Sequence, residues 1–183
     1  MARNVGVCTY SALGAVVLAT VIGVPAVAQD EDKIESALSA APQEMAENAK
    51  VMDMQGNVLR EGTGEYTCFP DEGAGPMCLD AEWLTWADAW MNKKEDYKTT
   101  QFGLAYMLAG DTGASNIDPF ATEKTADNQW VVEGPHVMIL VPDPALLESI
   151  TDDPNAGGPY VMWKGTPYQH IMMPVGPRPE QPQ

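Results

Sequence analysis

Basic residues are scarce in this sequence: 10 Lys and Arg stand against 26 Asp and Glu in 183 residues, a formal charge of −16. Nucleic-acid binding rests on Lys and Arg displacing counterions from phosphates, so nucleic acid is excluded as a general partner. Anionic membrane surfaces are disfavoured for the same reason. Histidine is scarcer still, with two residues, and the three cysteines form no C-x-x-C, which removes covalent haem attachment and thioredoxin-like chemistry. No G-x-S-x-G nucleophile turn and no G-x-G-x-x-G or G-x-x-x-x-G-K phosphate loop occurs. What is present is ordinary globular material. An apolar fraction of 45% with five Trp, six Tyr and three Phe is too rich for a disordered acidic tail, and the length suits one domain.

The one long apolar run lies at the start. Arg3 and the free amine precede a stretch that is purest from Ala12 to Val24, followed by Pro25 and the small residues Ala26-Val27-Ala28. This pattern predicts a secretory signal peptide over residues 1–28, cleaved before Gln29. An uncleaved anchor is the rival, since Val5 to Val24 is about long enough to cross a bilayer, although Cys8, Thr9, Tyr10 and Ser11 dilute it. With cleavage the protein is exported to the periplasm or the medium and keeps no stable membrane association. The leader holds Arg3 and no acid, so all the acidity belongs to the mature domain. That acidity either attracts cations or serves solubility in an exposed compartment.

Cys68 and Cys78 remain, separated by a loop rich in Pro and Gly. Outside the cytosol such a pair is expected to form a disulfide, and C-x9-C matches no zinc spacing.

The mature chain reads as α+β: a mainly antiparallel sheet covered by one Trp-rich amphipathic helix, with a few short helices, over residues 29–175. Two helical pieces flank Ala41-Pro42, starting at Ile34. A hairpin follows over 51–60 and a strand over 65–69. Asp80 caps a helix from Ala81 to Asn92, in which Trp83, Trp86 and Trp90 share one face. That face is expected to cover the sheet, with a ligand platform as the rarer use. Residues 99–108 form a strand with Gly103 at a close packing point. Residues 109–129 form a long polar loop, and loops of that length are usually functional or mobile. Strands at 130–133, 136–141, 160–164 and 170–175 and a short helix after Asp143-Pro144 complete the domain. The Pro-rich tail, 176–183, is expected to be disordered or extended.

The two histidines stand in repeated tripeptides, His136-Val137-Met138 and His170-Ile171-Met172. In a strand that spacing puts His and Met on one face, about 6–7 Å apart. Two such strands side by side would present two imidazoles and two thioethers to one point, a set that suits copper, above all Cu(I). Metal ligands on this reading are His136, Met138, His170 and Met172, with copper as the cofactor. The competing reading makes the histidines core residues or the polar groups of a small-molecule pocket walled by Tyr160, Trp163 and Tyr168. Haem held by His and Met is a lesser variant. Oxygen-ligand Ca2+ sites at Asp111, Asn116, Asp118 and Asp127, or at Asp152, Asp153 and Asn155, miss the EF-hand spacing.

Three resemblances follow from these residues. The H-x-M pairs resemble ligand motifs of exported bacterial copper carriers, which implies soft-metal binding. Asp111-Thr112-Gly113-Ala114-Ser115 resembles the active-site turn of aspartic proteases, which implies a water-activating carboxylate pair built by a homodimer. The runs 134–139 and 158–168 resemble a group of exported bacterial proteins with no assigned activity, which implies export and no mechanism. The functional expectation is an exported soluble binding protein for a metal ion or small molecule. The alternatives are a small hydrolase or lyase using a His–carboxylate pair, and a structural envelope protein without a site.

Overall fold

A computed structural model describes Met1 and residues 26–181. The expected leader falls almost wholly on residues 2–25, outside the described residues. Helix α1 (Ala26–Leu38) starts eight residues before the expected Ile34. Neither Pro nor Gly interrupts it, and its Ala, Glu and Lys residues favour helix. Past Ala41-Pro42 it resumes as α2 (Gln43–Ala46), the two-piece arrangement expected. Strands β1 (Lys50–Met52) and β2 (Val58–Arg60) form the expected antiparallel hairpin. Its turn is held by Asp53 Oδ1, which accepts from Gln55 N and Asn57 N at 3.0 and 2.8 Å.

Strand β3 (Thr67–Phe69) pairs antiparallel with β4 (Met77–Leu79), a strand not expected from the sequence. Cys68 and Cys78 lie directly opposite in this pair and form the expected disulfide. Asp80 then opens α3 (Ala81–Met91) by accepting from Trp83 N at 2.9 Å. Its second oxygen accepts from Leu104 N at 2.5 Å, so one side chain ties α3 to β5 (Gly103–Met107).

The long loop that follows contains β6 (Ala114–Ser115), which pairs with β7 (Trp130–Val131) in a ribbon separate from the main sheet. Between them Asn128 closes the excursion, its Nδ2 donating to Glu123 O at 2.8 Å and its Oδ1 accepting from Thr125 N at 3.0 Å. The remaining elements are β8 (His136–Leu140), a 3-10 turn over Pro144–Leu147, β9 (Tyr160–Met162) and β10 (His170–Pro174).

The main sheet has eight strands in the order β2-β1-β3-β4-β5-β8-β10-β9, antiparallel except for β1 against β3. Side chains alternate across a strand, so neighbours Cys78 and Leu79 face opposite sides. On the cysteine side Ala37 of α1 and Ala40 just beyond its end pack against Val51 and the disulfide. On the other side α3 packs Trp83, Trp86 and Ala89 over Leu79, Ala105 and Leu140. Each of the two buried tryptophans contributes about 4–6 kcal/mol of gross apolar burial. Gly103 allows the close approach: a Cβ there would lie 3.1 Å from Glu82 Cβ and 3.2 Å from Trp83 Cδ1. The expected α+β class, antiparallel sheet and covering Trp helix are all observed.

The tail is extended rather than disordered as far as it is described. Arg178 Nε donates to Glu133 Oε2 at 3.0 Å, and its Nη2 bonds Glu133 Oε1. Gln181 donates to Val132 O at 2.9 Å and accepts from Val132 N at 3.0 Å. The physical reason is Glu133, 1% exposed, whose buried carboxylate requires a cation that the domain itself does not supply. No helix among the described residues is long and apolar enough to cross a membrane.

Candidate functional site

The two H-x-M strands are neighbours, β8 beside β10, and their antiparallel register sets Met138 opposite Met172 and His136 opposite Pro174. All four side chains share the face that α3 covers. Antiparallel pairing reverses the order of the tripeptides, however, so only the thioethers meet. His136 and His170 stand at opposite ends of a row, four residues or about 13 Å of strand apart, with the Met pair between them. The register sets the two histidine backbones apart along the row, while both side chains line one cavity and His136 acts electrostatically on His170.

Each ring is held by the same local bond. His136 Nδ1 lies 2.8 Å from Gly134 O and His170 Nδ1 lies 2.9 Å from Tyr168 O, in both cases the carbonyl two residues earlier. A carbonyl only accepts, so both Nδ1 atoms carry the proton and both Nε2 atoms are bare acceptors in the neutral ring. Burial lowers the pKa of His136 and pushes that of His170 down to about 4. Neither ring is hydrogen-bonded to a carboxylate among the described residues, and Asp111 is a carboxylate that lines the same cavity.

Between α3 and this face lies a cavity of about 760 Å³. The sheet contributes Met77, Met107, Met138, Met162 and Met172 together with both histidines, and α3 contributes Trp83, Trp86 and Trp90. Part of the long loop, from Asp111 to Thr122, forms the rim with Met54 of the β1–β2 turn and Met91 at the end of α3. At one end His170 is boxed by ring edges, with centroids 5.2 Å from Trp163, 5.3 Å from Trp83 and 5.6 Å from Trp86. Trp163 lies nearly parallel to Trp86, 3° between planes and 5.7 Å between centroids. Its backbone sits at φ 54°, a left-handed conformation costly for a bulky residue. Bonds from Trp163 N to Asn116 O at 2.9 Å and from Nε1 to Ser115 O at 2.6 Å hold it there.

Two buried polar atoms of this lining have no partner: His136 Nε2, an acceptor, and Trp83 Nε1, a donor. An unpartnered buried group costs about 1–3 kcal/mol, so the pair calls for an explanation in what the cavity holds. Asp111 stands at the His136 end. Its Oδ1 accepts from Gly113 N at 3.0 Å and from Glu133 N at 2.8 Å, while burial outweighs those bonds and pushes its carboxyl up to about 7.

Of the three aromatic walls expected from the sequence, Trp163 alone lines the cavity. Tyr160 and Tyr168 are core residues, with hydroxyls donating to Glu133 Oε1 at 2.9 Å and Lys94 O at 3.0 Å. Asp111 does not form the protease-like pair within one chain, because its carboxyl neighbour Glu133 is committed to Arg178 and Tyr160. Three of the candidate Ca2+ ligands serve their own turns: Asp118 accepts from Phe120 N, Asp127 from the Thr125 hydroxyl and Asp153 from Asn155 N, while Asn116 donates to Gln129 Oε1 and Asp152 O. No group of three or more His, Cys, Asp or Glu that could hold a metal ion occurs among the described residues. A second hollow of about 540 Å³, between Arg178, Gln181 and Asp152–Asn155, contains neither histidine.

Sequence reasoning missed the dual part of the α3 tryptophans, which are core and cavity wall at once, and the contributions of Met77, Met107 and Met162. The available signal was composition, 11 Met and five Trp in a chain with three Phe. No protein-family model, curated protein or solved structure matches this chain.

Proposed function

We propose that this chain is an exported binding protein and that the cavity between α3 and the β8–β10 face is its ligand site. The observation that carries this reading is His136: fully buried, neutral, and lining an apolar cavity with its Nε2 unpartnered. A volume of about 760 Å³ falls in the range of small-molecule sites, and a mostly apolar lining with a few convergent polar atoms is their usual composition. Export is supported by the leader composition and by the disulfide.

The test is saturable binding of the neutral fluorophore N-phenyl-1-naphthylamine, followed by its emission. Ala87→Phe, which fills the cavity from α3, is expected to abolish saturation in a protein that still melts cooperatively. Undiminished binding to that variant would place the fluorophore elsewhere and sink the assignment.

Met138 opposite Met172 favours a second reading, a soft cation such as Cu(I) held by the thioether pair with one flanking imidazole. Its test is competition for Cu(I) against a chelator. An affinity equal to that of the His136→Ala/His170→Ala double variant excludes the imidazoles as ligands.

A further inference from the structure

We infer that the cavity takes an organic cation of the arylalkylamine class, with its ammonium group between His136 and Asp111 and its aryl body against the α3 tryptophans. The inference rests on the cavity being a ligand site. Its first support is the sign of the lining: three aspartates, two neutral histidines and neither Lys nor Arg. Asp53 and Asp118 spend oxygens on their own turns. Asp111 commits Oδ1 to two backbone N–H groups, and no described residue bonds its Oδ2.

The second support is placement. Asp111 N donates to Glu133 O at 3.0 Å, one residue before the Gly134 carbonyl that fixes His136. A Cβ on Gly75 would meet both Asp111 Cα, at 2.8 Å, and Met107 Cε, at 3.2 Å, and Met107 is the cross-strand partner of His136. Asp111 and His136 therefore occupy the same end. An ammonium group is the ligand chemistry that donates to a bare imidazole Nε2 and neutralises a carboxylate at once. The opposite end offers Trp83, Trp86 and Trp163, surfaces that accept an aryl ring and attract positive charge to their faces. The surplus of 26 acidic over 10 basic residues draws cations toward the mouth.

The experiment uses the mature chain and three probes with one aryl body: 2-phenylethylammonium, 2-phenylethanol and phenylacetate, titrated calorimetrically at pH 7. The ammonium is expected to bind at least about 10-fold more tightly than the alcohol, and phenylacetate least. Asp111→Asn should reduce the preference for ammonium to under about 3-fold. Equal or tighter binding of the alcohol or phenylacetate, or a preference that survives Asp111→Asn, overturns the inference. If none of the three binds while N-phenyl-1-naphthylamine still saturates, the cation inference alone falls. If the fluorophore fails as well, the cavity reading falls with it.

A second measurement needs no variant. Glu133, Arg178 and Tyr160 act on Asp111, and its carboxyl, which burial pushes up to about 7, loses its proton to the buffer when a cation arrives beside it. Titration in two buffers of different protonation enthalpy should show release of about half a proton per ammonium bound near pH 7. No release, with binding intact, overturns the pairing with Asp111.

Discussion

Replacing Arg178 by Ala removes the cation that lies against Glu133, and the cost can be worked from the geometry. Glu133 is 1% exposed and takes two bonds from the guanidinium and one from Tyr160 Oη. Breaking a fully buried ion pair from one side costs about 3–5 kcal/mol, because the remaining charge is left without compensation. Here the Arg178 side chain is 22% exposed, so water enters where the guanidinium was and the loss is smaller, about 2–3 kcal/mol. In a domain of this size that lowers Tm by about 5–10 °C. The expected rescue is Glu133→Gln in the Arg178→Ala background, which removes the stranded charge and should restore at least half of the loss. Thermal and urea melts of the wild type, both single variants and the double variant give the full cycle. A melting point of Arg178→Ala within about 1 °C of wild type, or a double variant no better than the single, refutes the account and returns the tail to a dispensable extension.

Reduction of the Cys68–Cys78 bridge, or its replacement by Ser at both positions, should cost about 2–3 kcal/mol, read from the urea midpoint. An unchanged midpoint would show that the hairpin is held by its ladder alone. Asp80→Ala removes the α3 cap and the acceptor of Leu104 N together, and should cost about 2–3 kcal/mol, more than a cap alone. A loss under about 0.5 kcal/mol would mean that the helix is not tied to β5 through this residue. The acid response has two opposed parts. His170, lowered from 6.5 to about 4 by burial, binds its proton first in the unfolded chain, so its contribution is lost as pH falls from 6.5 to about 4, in total about 3 kcal/mol. Asp111, raised from 3.8 to about 7, is protonated first in the folded chain, so its contribution is present at low pH and lost as pH rises through 7. Asp111→Asn should therefore steepen the loss of stability between pH 6.5 and 4. A stability profile identical to wild type in that window would refute the opposed titration.

Local features were legible where one residue decides the outcome within a few positions. Asp80 before an amphipathic run specifies a helix start, Gln55-Gly56-Asn57 specifies a hairpin, and an even pair of cysteines around a Pro/Gly loop specifies a bridge. Strand β4 escaped because Met77-Cys78-Leu79 is squeezed between a Pro/Gly-rich loop and the Asp80 helix cap, and it is pinned to β3 by pairing and by the disulfide. For the tail, Pro-rich composition allowed either a disordered or an extended segment and could not name a partner. What holds it is a carboxylate 45 residues away.

The candidate site divides along the same line. That His136 shares a sheet face with Met138, and His170 with Met172, was determined by strand period alone, since i and i+2 always point the same way, whereas the register put both pairs on one face. Whether the two strands are neighbours, and in which direction and register they pair, is decided by long-range ladders that no tripeptide encodes. Antiparallel pairing set Met138 opposite Met172, placed the two histidines at opposite ends of the row and left His136 Nε2 unpartnered in a cavity that Asp111, from a separate loop, also lines. Acidity, scarcity of bases and the stock of Trp and Met were properties of the sequence. The hollow that assembles them belongs to the tertiary structure, because only packing of α3 across the sheet brings the tryptophan stripe over the His–Met row.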